Sequence, residues 1–263
     1  MSISKLPVAI VTGGTKGIGR GIVDSLAKKG FAVVITSRDK TNAQNYSMYL
    51  RDQGFDSIGM AFNLENRDDT NQLIENTIQH YGRLDTLVNN TISSSCVPNF
   101  DNMSADEITF AITSNITNTL LLTKSAYPFL KQKSGNIVNI GSVAVNRPVL
   151  GMVLYTMIKG AIIQMTKALA AEWAKDKIRV NCINPGFFYS SALEDGGVPR
   201  EMIDKIYSHC ERFHPLGNKI GDPAEIGNLV AFIASDSAKI MTGSIIDFDA
   251  GMSIQGISIQ PEN

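Results

Sequence analysis

Apolar residues fall along this chain in two alternating rhythms. Short runs of β-branched and aliphatic residues, such as Val8-Ala9-Ile10-Val11, are separated by longer stretches in which apolar positions recur every three or four residues. The short runs read as strands and the longer stretches as helices. Strands are expected at 8–11, 32–36, 58–62, 86–89, 137–140, 179–183 and 245–248, and helices at 18–29, 41–53, 68–81, 105–131 and 153–175. Gly30, Gly54 and Gly82 follow three of these helices, where a left-handed residue ends a helix. Ser104, with Asp106 and Glu107 behind it, marks a capped start. In 153–175 the apolar stripe runs through Ile158, Ile162, Met165, Leu169 and Trp173.

Strands that are apolar throughout, rather than alternating, belong in a sheet covered on both faces. Their alternation with helices argues an α/β fold, a Rossmann-type doubly wound parallel sheet of about seven strands with helices on both faces. No repeat, low-complexity tract or linker divides the chain, so 1–263 reads as a single domain. The segment 187–221 is the least regular. It carries Gly196-Gly197, two prolines and mixed charge, and a long segment of that kind is expected to be a substrate lid.

Composition narrows the function. At 263 residues, 43% hydrophobic and 19% charged, the chain has the make-up of a soluble globular domain with a sizeable core. A formal net charge of −1 gives no general attraction to nucleic acid or to an anionic membrane. No apolar run approaches the ~20 residues needed to span a bilayer, and the N-terminus lacks a signal peptide's long apolar stretch. Cytoplasm is the expected location. Cys96, Cys182 and Cys210 are too few and too far apart for a disulfide framework, and His80, His209 and His214 have no metal-ligand spacing.

Chemistry enters between the first strand and the first helix, at T-G-G-T-K-G-I-G, Thr12 to Gly19. Glycines let the backbone turn tightly and approach a pyrophosphate, whose charge then sits at the helix N-terminus. Taken alone, such a loop leaves an ordinary tight turn open. Gly17 after Lys16, in place of Ser or Thr, excludes a Walker loop. The second strand ends Thr36-Ser37-Arg38. An acid near that point, ~20 residues past the glycines, would hold a ribose 2′-hydroxyl. Ser37 leaves the acid out. Arg38, with Lys16 opposite, suits a 2′-phosphate instead, unless both are plain surface cations or Asp39 neutralises Arg38.

The segment Tyr155-Thr-Met-Ile-Lys159 places a phenol and an ammonium on one helix face. A phenol titrates near ~10 in water, and a nearby cation favours its phenolate, so the pair is a tunable acid–base device. Ser142 ends the fifth strand, thirteen residues before Tyr155. In parallel sheets, ligands bind at that carboxyl end.

With these motifs in order, the chain resembles the short-chain dehydrogenase/reductase family from about Val8 to Gly251. The matching features are T-G-G-T-K-G-I-G, Asn89-Asn90, an asparagine in the long helix, Ser142 with Tyr155-x-x-x-Lys159, and Pro185-Gly186. The nearest flavour is that of 3-oxoacyl-acyl-carrier-protein reductases. The resemblance implies Tyr155 as proton donor to a substrate carbonyl. Lys159 would hold the nicotinamide ribose, Ser142 would bond the carbonyl oxygen, and Asn115 would hold a water beside Lys159. Coenzyme contacts are implied for Gly13, Thr15, Lys16, Gly17, Ile18, Gly19, Ser37, Arg38, Asn63, Leu64, Asn89, Asn90, Thr91, Tyr155, Lys159, Pro185, Gly186, Phe188 and Ser190. The implied cofactor is NADPH/NADP+, and the implied assembly is a homo-oligomer, tetramer or dimer.

The chain also departs from the family pattern. Asn63 stands where an aspartate is usual, Asp249-Ala250-Gly251 replaces D-G-G, and Thr91-Ile92 replaces the Ala-Gly of N-N-A-G. The β-branched Ile92 resists a positive φ, so strain or a shifted loop is expected there, with Ile92 to Cys96 lining the cavity. Three activities fit these residues: reduction of a ketone such as a 3-oxoacyl thioester or biosynthetic intermediate, oxidation of an alcohol or polyol, and coenzyme binding without turnover in a sensor or structural subunit.

Overall fold

The computed structural model describes residues 4–93, 100–190, 194, 198–217 and 219–256. Its centre is a parallel sheet of seven strands, β1 Val8–Val11, β2 Ala32–Ser37, β3 Ser57–Ala61, β4 Thr86–Asn89, β5 Asn136–Ile140, β6 Arg179–Pro185 and β7 Ile245–Phe248, in the order β3-β2-β1-β4-β5-β6-β7. The helices are α1 Gly17–Lys28, α2 Lys40–Asp52, α3 Asp68–Tyr81, α4 Ala105–Ile112, α5 Asn118–Lys133, α6 Val153–Trp173, α7 Arg200–Glu211 and α8 Pro223–Ala234. Among the described residues, no helix is long and apolar enough to cross a membrane.

Alternate residues of the central strands feed opposite cores. Val8, Ile10, Leu87, Ile137 and Val180 pack against α3, α5 and α6 through Leu73, Leu122, Leu130 and Trp173. Ala9, Val11, Val33, Val88, Val138 and Ile183 pack against α1, α2 and α8 through Ile22, Leu26, Leu50, Ile226 and Val230. Each such side chain removed from water contributes roughly 1.5–3 kcal/mol. Burial on both faces is why the strands lack a polar alternation.

The strand order reverses beside β1, between β2 and β4, and opens a crevice at the carboxyl ends. The N-terminal half of α1 is pinned there by close contact with α8. A Cβ on Gly21 would lie 2.3 Å from the Pro223 carbonyl oxygen, and one on Gly227 would lie 2.1 Å from that of Gly21.

Three elements differ from the sequence reading. The helix expected over 105–131 is broken by a π turn at Thr113–Thr117, where local hydrogen bonds compete with the regular ladder. Asn115 Nδ2 donates to the Ala111 carbonyl at 3.0 Å, and Thr119 Oγ1 donates to that of Asn115 at 2.8 Å. The segment 187–221 is not irregular throughout, because α7 lies within it. The helix α8 was not anticipated, although Asp222 and Glu225 form a capping box at its start.

Candidate active site

The glycine loop leaves β1 and turns back towards α1. Gly13 at φ +64° and Gly17 at φ +49° take left-handed conformations. A Cβ on Gly19 would stand 2.0 Å from the Gly13 carbonyl oxygen, so the loop closes only without side chains there. Gly13 N donates to Thr36 Oγ1 at 3.1 Å, which ties the loop to β2. No side chain caps α1, and no acid sits in its first turn. By contrast, Asp39, Ser104 and Asp222 cap α2, α4 and α8. The α1 terminus therefore presents backbone N–H groups and a positive dipole end to an anion. Thr15, Gly17 and Ile18 are half-buried at this mouth, and Lys16 is exposed.

At the end of β2, Ser37 is half-buried and Arg38 exposed. The Asp39 carboxylate accepts from Thr41 N at 2.8 Å, so it caps α2. Among the described residues it forms no ion pair with Arg38. Past β3, Asn63 Oδ1 accepts from Glu65 N at 3.1 Å. Leu64 turns into the core, which leaves its backbone for any ligand contact.

The second cluster lies at the ends of β5 and β6. Gly141 N donates to the Ile183 carbonyl at 2.7 Å and Ser142 N to Asn184 Oδ1 at 3.2 Å, which fixes the turn after β5. Ser142 Oγ accepts from Ala144 N at 3.1 Å, which leaves its own O–H available to donate. Tyr155 and Lys159 project one turn apart from the start of α6. Lys159 is only 6% exposed. Its Nζ donates to the Ile140 carbonyl at 2.7 Å and stands 5.7 Å from the Tyr155 ring centroid. Asn115 Oδ1 accepts from Ser93 N at 2.7 Å, so the π turn anchors the loop after β4. Lys159, Asn115, Asn89, Thr91 and Ile140 line a small cavity with room for about one water. Asn89 Oδ1 and Thr91 Oγ1 are buried beside it without a protein partner.

Asn89 and Asn90 are scaffold. Asn89 Nδ2 donates to Asn139 Oδ1 at 2.8 Å and to Thr123 Oγ1 at 3.1 Å. Asn90 Nδ2 donates to the Thr12 carbonyl at 2.8 Å, and Asn90 N and Thr91 N donate to Thr12 Oγ1 at 2.9 and 3.0 Å. The strain expected at Ile92 is absent, because neither Thr91 nor Ile92 has positive φ. Instead Ile92 is half-buried and packs with Leu154, Ile158, Ile112 and Tyr155. Of the stretch expected to line the cavity, Ser94, Ser95 and Cys96 lie outside the described residues. The left-handed backbone occurs at the other departure, Ala250, with φ +53°.

Beyond β6, Gly186 N donates to the Phe248 carbonyl at 3.1 Å. The Phe188 ring stacks on Phe248 with centroids 6.1 Å apart and lies against Gly221. Ser190 is held by a residue that the sequence reading missed. Its N–H donates to Tyr207 Oη at 3.0 Å, and the Tyr207 hydroxyl donates back to the Ser190 carbonyl at 3.0 Å. The signal was the stripe Ile203, Tyr207 and Cys210 on α7. A cleft of about 480 Å³ separates Tyr189, Ser190 and α7 from Gly17 and Asp222. Burial pushes the Cys182 thiol up to about 11, so it is no nucleophile at neutral pH.

The comparisons with known proteins agree with this fold. A family model described as enoyl-(acyl carrier protein) reductase matches residues 13–253. A chloroplastic tropinone reductase homolog of Arabidopsis thaliana is 34% identical over 250 residues, covering 94% of this chain and 76% of its own length. A second Arabidopsis thaliana tropinone reductase homolog is 33% identical over 252 residues, covering 95% and 93%. Among solved structures, gox2181 superposes with a TM-score of 0.85 at 27% identity, over 96% of this chain and 98% of that one. An actinorhodin polyketide ketoreductase variant determined with NADPH shares the fold, with a TM-score of 0.86 at 24% identity over 97% and 100%. The chain belongs to the short-chain dehydrogenase/reductase family of oxidoreductases.

Proposed function

We propose that this protein is an NADPH-dependent reductase of a compact, largely apolar ketone. The observation that carries the reading is the placement of Lys159. Its buried ammonium is fixed on the Ile140 carbonyl beneath the Tyr155 ring, in a cavity shared with Asn115. A buried charge is costly unless its environment uses it, and here it faces the phenol that would exchange a proton.

The residues present fit a phosphorylated dinucleotide. The uncapped α1 terminus and the side-chain-free turn at Gly13 and Gly19 form a cradle for a pyrophosphate. Arg38 and Lys16 offer two cations for a 2′-phosphate, and Ser37 brings no opposing charge. The orphaned Thr91 hydroxyl lies against Gly13. Asn63, the Leu64 backbone, Pro185-Gly186, Phe188 and Ser190 would complete the cleft. Bound NADPH supplies the hydride for the carbonyl carbon. Ser142 donates its free O–H to the carbonyl oxygen. Tyr155 gives that oxygen its proton, and Lys159 stabilises the phenolate left behind. Asn115 holds the π turn open beside Lys159. The reverse reaction, alcohol oxidation, uses the same groups.

Ile92, Ile112, Leu154 and Ile158 around Tyr155 favour an apolar substrate. Together with relatives named as homologs of tropinone reductase, they favour a compact ketone over a long acyl thioester. Exposed Phe110, Leu120, Val153 and Met157 on α4, α5 and α6 support a dimer or tetramer.

The test follows reduced-nicotinamide absorbance with NADPH and a graded panel of cyclic and linear ketones. Turnover is expected on at least one compact ketone. NADPH binding with no turnover on any of them would favour the non-catalytic reading.

A further inference from the structure

We propose that His214 is a positioning residue that holds the nicotinamide side of the coenzyme cleft in its binding shape. The inference rests on the NADPH reading given above: β6 ends at Pro185 beside the turn that carries Ser142, whose N–H donates to Asn184 Oδ1, so Gly186-Phe187 adjoins the reacting groups, where the nicotinamide would lie. His214 lies between α7 and α8 and is 1% exposed. Its Nε2 accepts from Phe187 N at 2.9 Å, and its Nδ1 contacts the Lys219 carbonyl at 2.7 Å. A backbone N–H can only donate and a carbonyl can only accept, so the two partners fix the tautomer. The ring proton is on Nδ1 and the lone pair on Nε2 faces Phe187.

The two bonds join the ends of the lid. Gly221 N donates to the Phe187 carbonyl at 3.0 Å, and Tyr189 N donates to the Gly221 carbonyl at 3.1 Å. Phe187 to Tyr189 thus run beside Gly221 as a short clasp, with His214 closing it. The imidazole also lies directly against Gly186, where a Cβ would stand 2.7 Å from Nε2. Its ring stacks with Phe187, centroids 5.9 Å apart and planes 27° from parallel. The peptide leaving Pro185 is therefore held from three sides: by Phe248 through Gly186 N, by Gly221, and by His214.

Of these contacts, only the bond to Nε2 satisfies Phe187 N–H. Without it, a partly buried donor is unpaired, and the 186–187 peptide gains by rotating towards another acceptor. The segment would then have to be re-ordered whenever the nicotinamide half binds. The adenine half, held at the glycine loop and Arg38, would not register the change. A purely structural histidine would lower stability without discriminating between the two halves of the coenzyme.

The experiment titrates NADPH and adenosine 2′,5′-bisphosphate, which lacks the nicotinamide half, against the wild type and two variants. Unfolding midpoints are measured without ligand. His214→Asn keeps a donor for Lys219 but its side chain is too short to offer Phe187 an acceptor. NADPH Kd should rise about tenfold while the bisphosphate Kd stays within twofold. His214→Gln extends an oxygen towards Phe187 and should restore NADPH Kd to within about threefold of wild type. If His214→Asn does not fold, His214→Met, which fills the site without an acceptor, carries the same expectation. Equal losses for NADPH in the Asn and Gln variants, or equal weakening of both ligands, would overturn the proposal. A wild type that binds neither ligand would instead overturn the coenzyme reading itself.

Discussion

Coenzyme choice can be inverted at the end of β2. The perturbation is Ser37→Asp with Arg38→Ala. Arg38 follows directly on β2, whose Thr36 holds the glycine loop through Gly13 N and Gly14 N. Lys16 stands exposed at the N-cap of α1. A charge-assisted hydrogen bond contributes roughly 1.5–3 kcal/mol. Both cations are exposed, and at physiological salt the screening length is about 8 Å. Two such bonds then give about 2–4 kcal/mol net, or roughly 30- to 1000-fold in favour of NADPH. Exposure puts the expectation near the lower end. Asp39 does not reduce it, since its carboxylate is engaged at Thr41 N. In the variant, the carboxylate introduced in place of the Ser37 hydroxyl repels a 2′-phosphate and accepts from ribose hydroxyls instead, so the preference should reverse. Fluorescence titrations with NADPH and NADH at low and physiological salt measure both constants. Equal wild-type constants, or a preference ratio that ignores salt, would refute the reasoning.

The remaining expectations address catalysis, shape and stability. Tyr155→Phe should leave NADPH Kd within about twofold while single-turnover hydride transfer falls by roughly 10²–10⁴; near-normal transfer removes Tyr155 as proton donor. Ile92→Gly should admit bulkier ketones without weakening NADPH binding, as a ketone series of graded size would reveal. Ala250→Gly relieves a left-handed alanine costing about 1–2 kcal/mol, less about 0.5–1 for the freer unfolded chain. The net gain, between zero and about 1.5 kcal/mol, should raise Tm by up to about 3–6 °C in calorimetry. Burial raises the Asp249 carboxyl, but hydrogen bonds from Ser253 and Gly251 outweigh this and hold it below the usual range. Its stabilising effect is present above the unfolded carboxylate pKa and is lost as pH falls through the lower folded value. Asp249→Asn should therefore flatten the acid limb of the stability profile below about pH 4.

The sheet was legible because its central strands are buried on both faces and the connecting helices carry apolar stripes. Val8–Val11, Thr86–Asn89, Asp68–Tyr81 and Ile245–Phe248 fall on their expected bounds. The segment 187–221 was harder to read. Of α7, only Ile203 and Cys210 are buried, and flanking glycines and prolines mask so narrow a stripe. The π turn was invisible for a different reason. A five-residue widening barely disturbs the apolar period, and Thr, Ser and Asn at 113–117 fit a surface helix as well as a functional bulge. Tyr207 and His214 act through backbone partners far along the chain, and no spacing rule reports such pairings.

The departures from the family pattern separate into two kinds, and the separation bears on whether the protein turns over substrate. A lesion in N-N-T-I would be expected to loosen the bonds that the glycine loop depends on. Those bonds are intact: Asn90 still holds the Thr12 carbonyl, and Asn90 N and Thr91 N still share Thr12 Oγ1. Ser93 N still reaches Asn115. What changes is the wall, where Ile92 adds apolar bulk beside Tyr155 without a left-handed backbone. Among these departures the left-handed backbone is at Ala250, whose carbonyl accepts from Leu216 N at 3.0 Å, next to the segment 187–221 rather than to the reacting groups. On the proposed reading, replacement at 91–92 alters which ketone fits, and replacement at 250 alters stability. Neither removes a group that the proton transfer needs, which favours a specialised reductase over a silent binder.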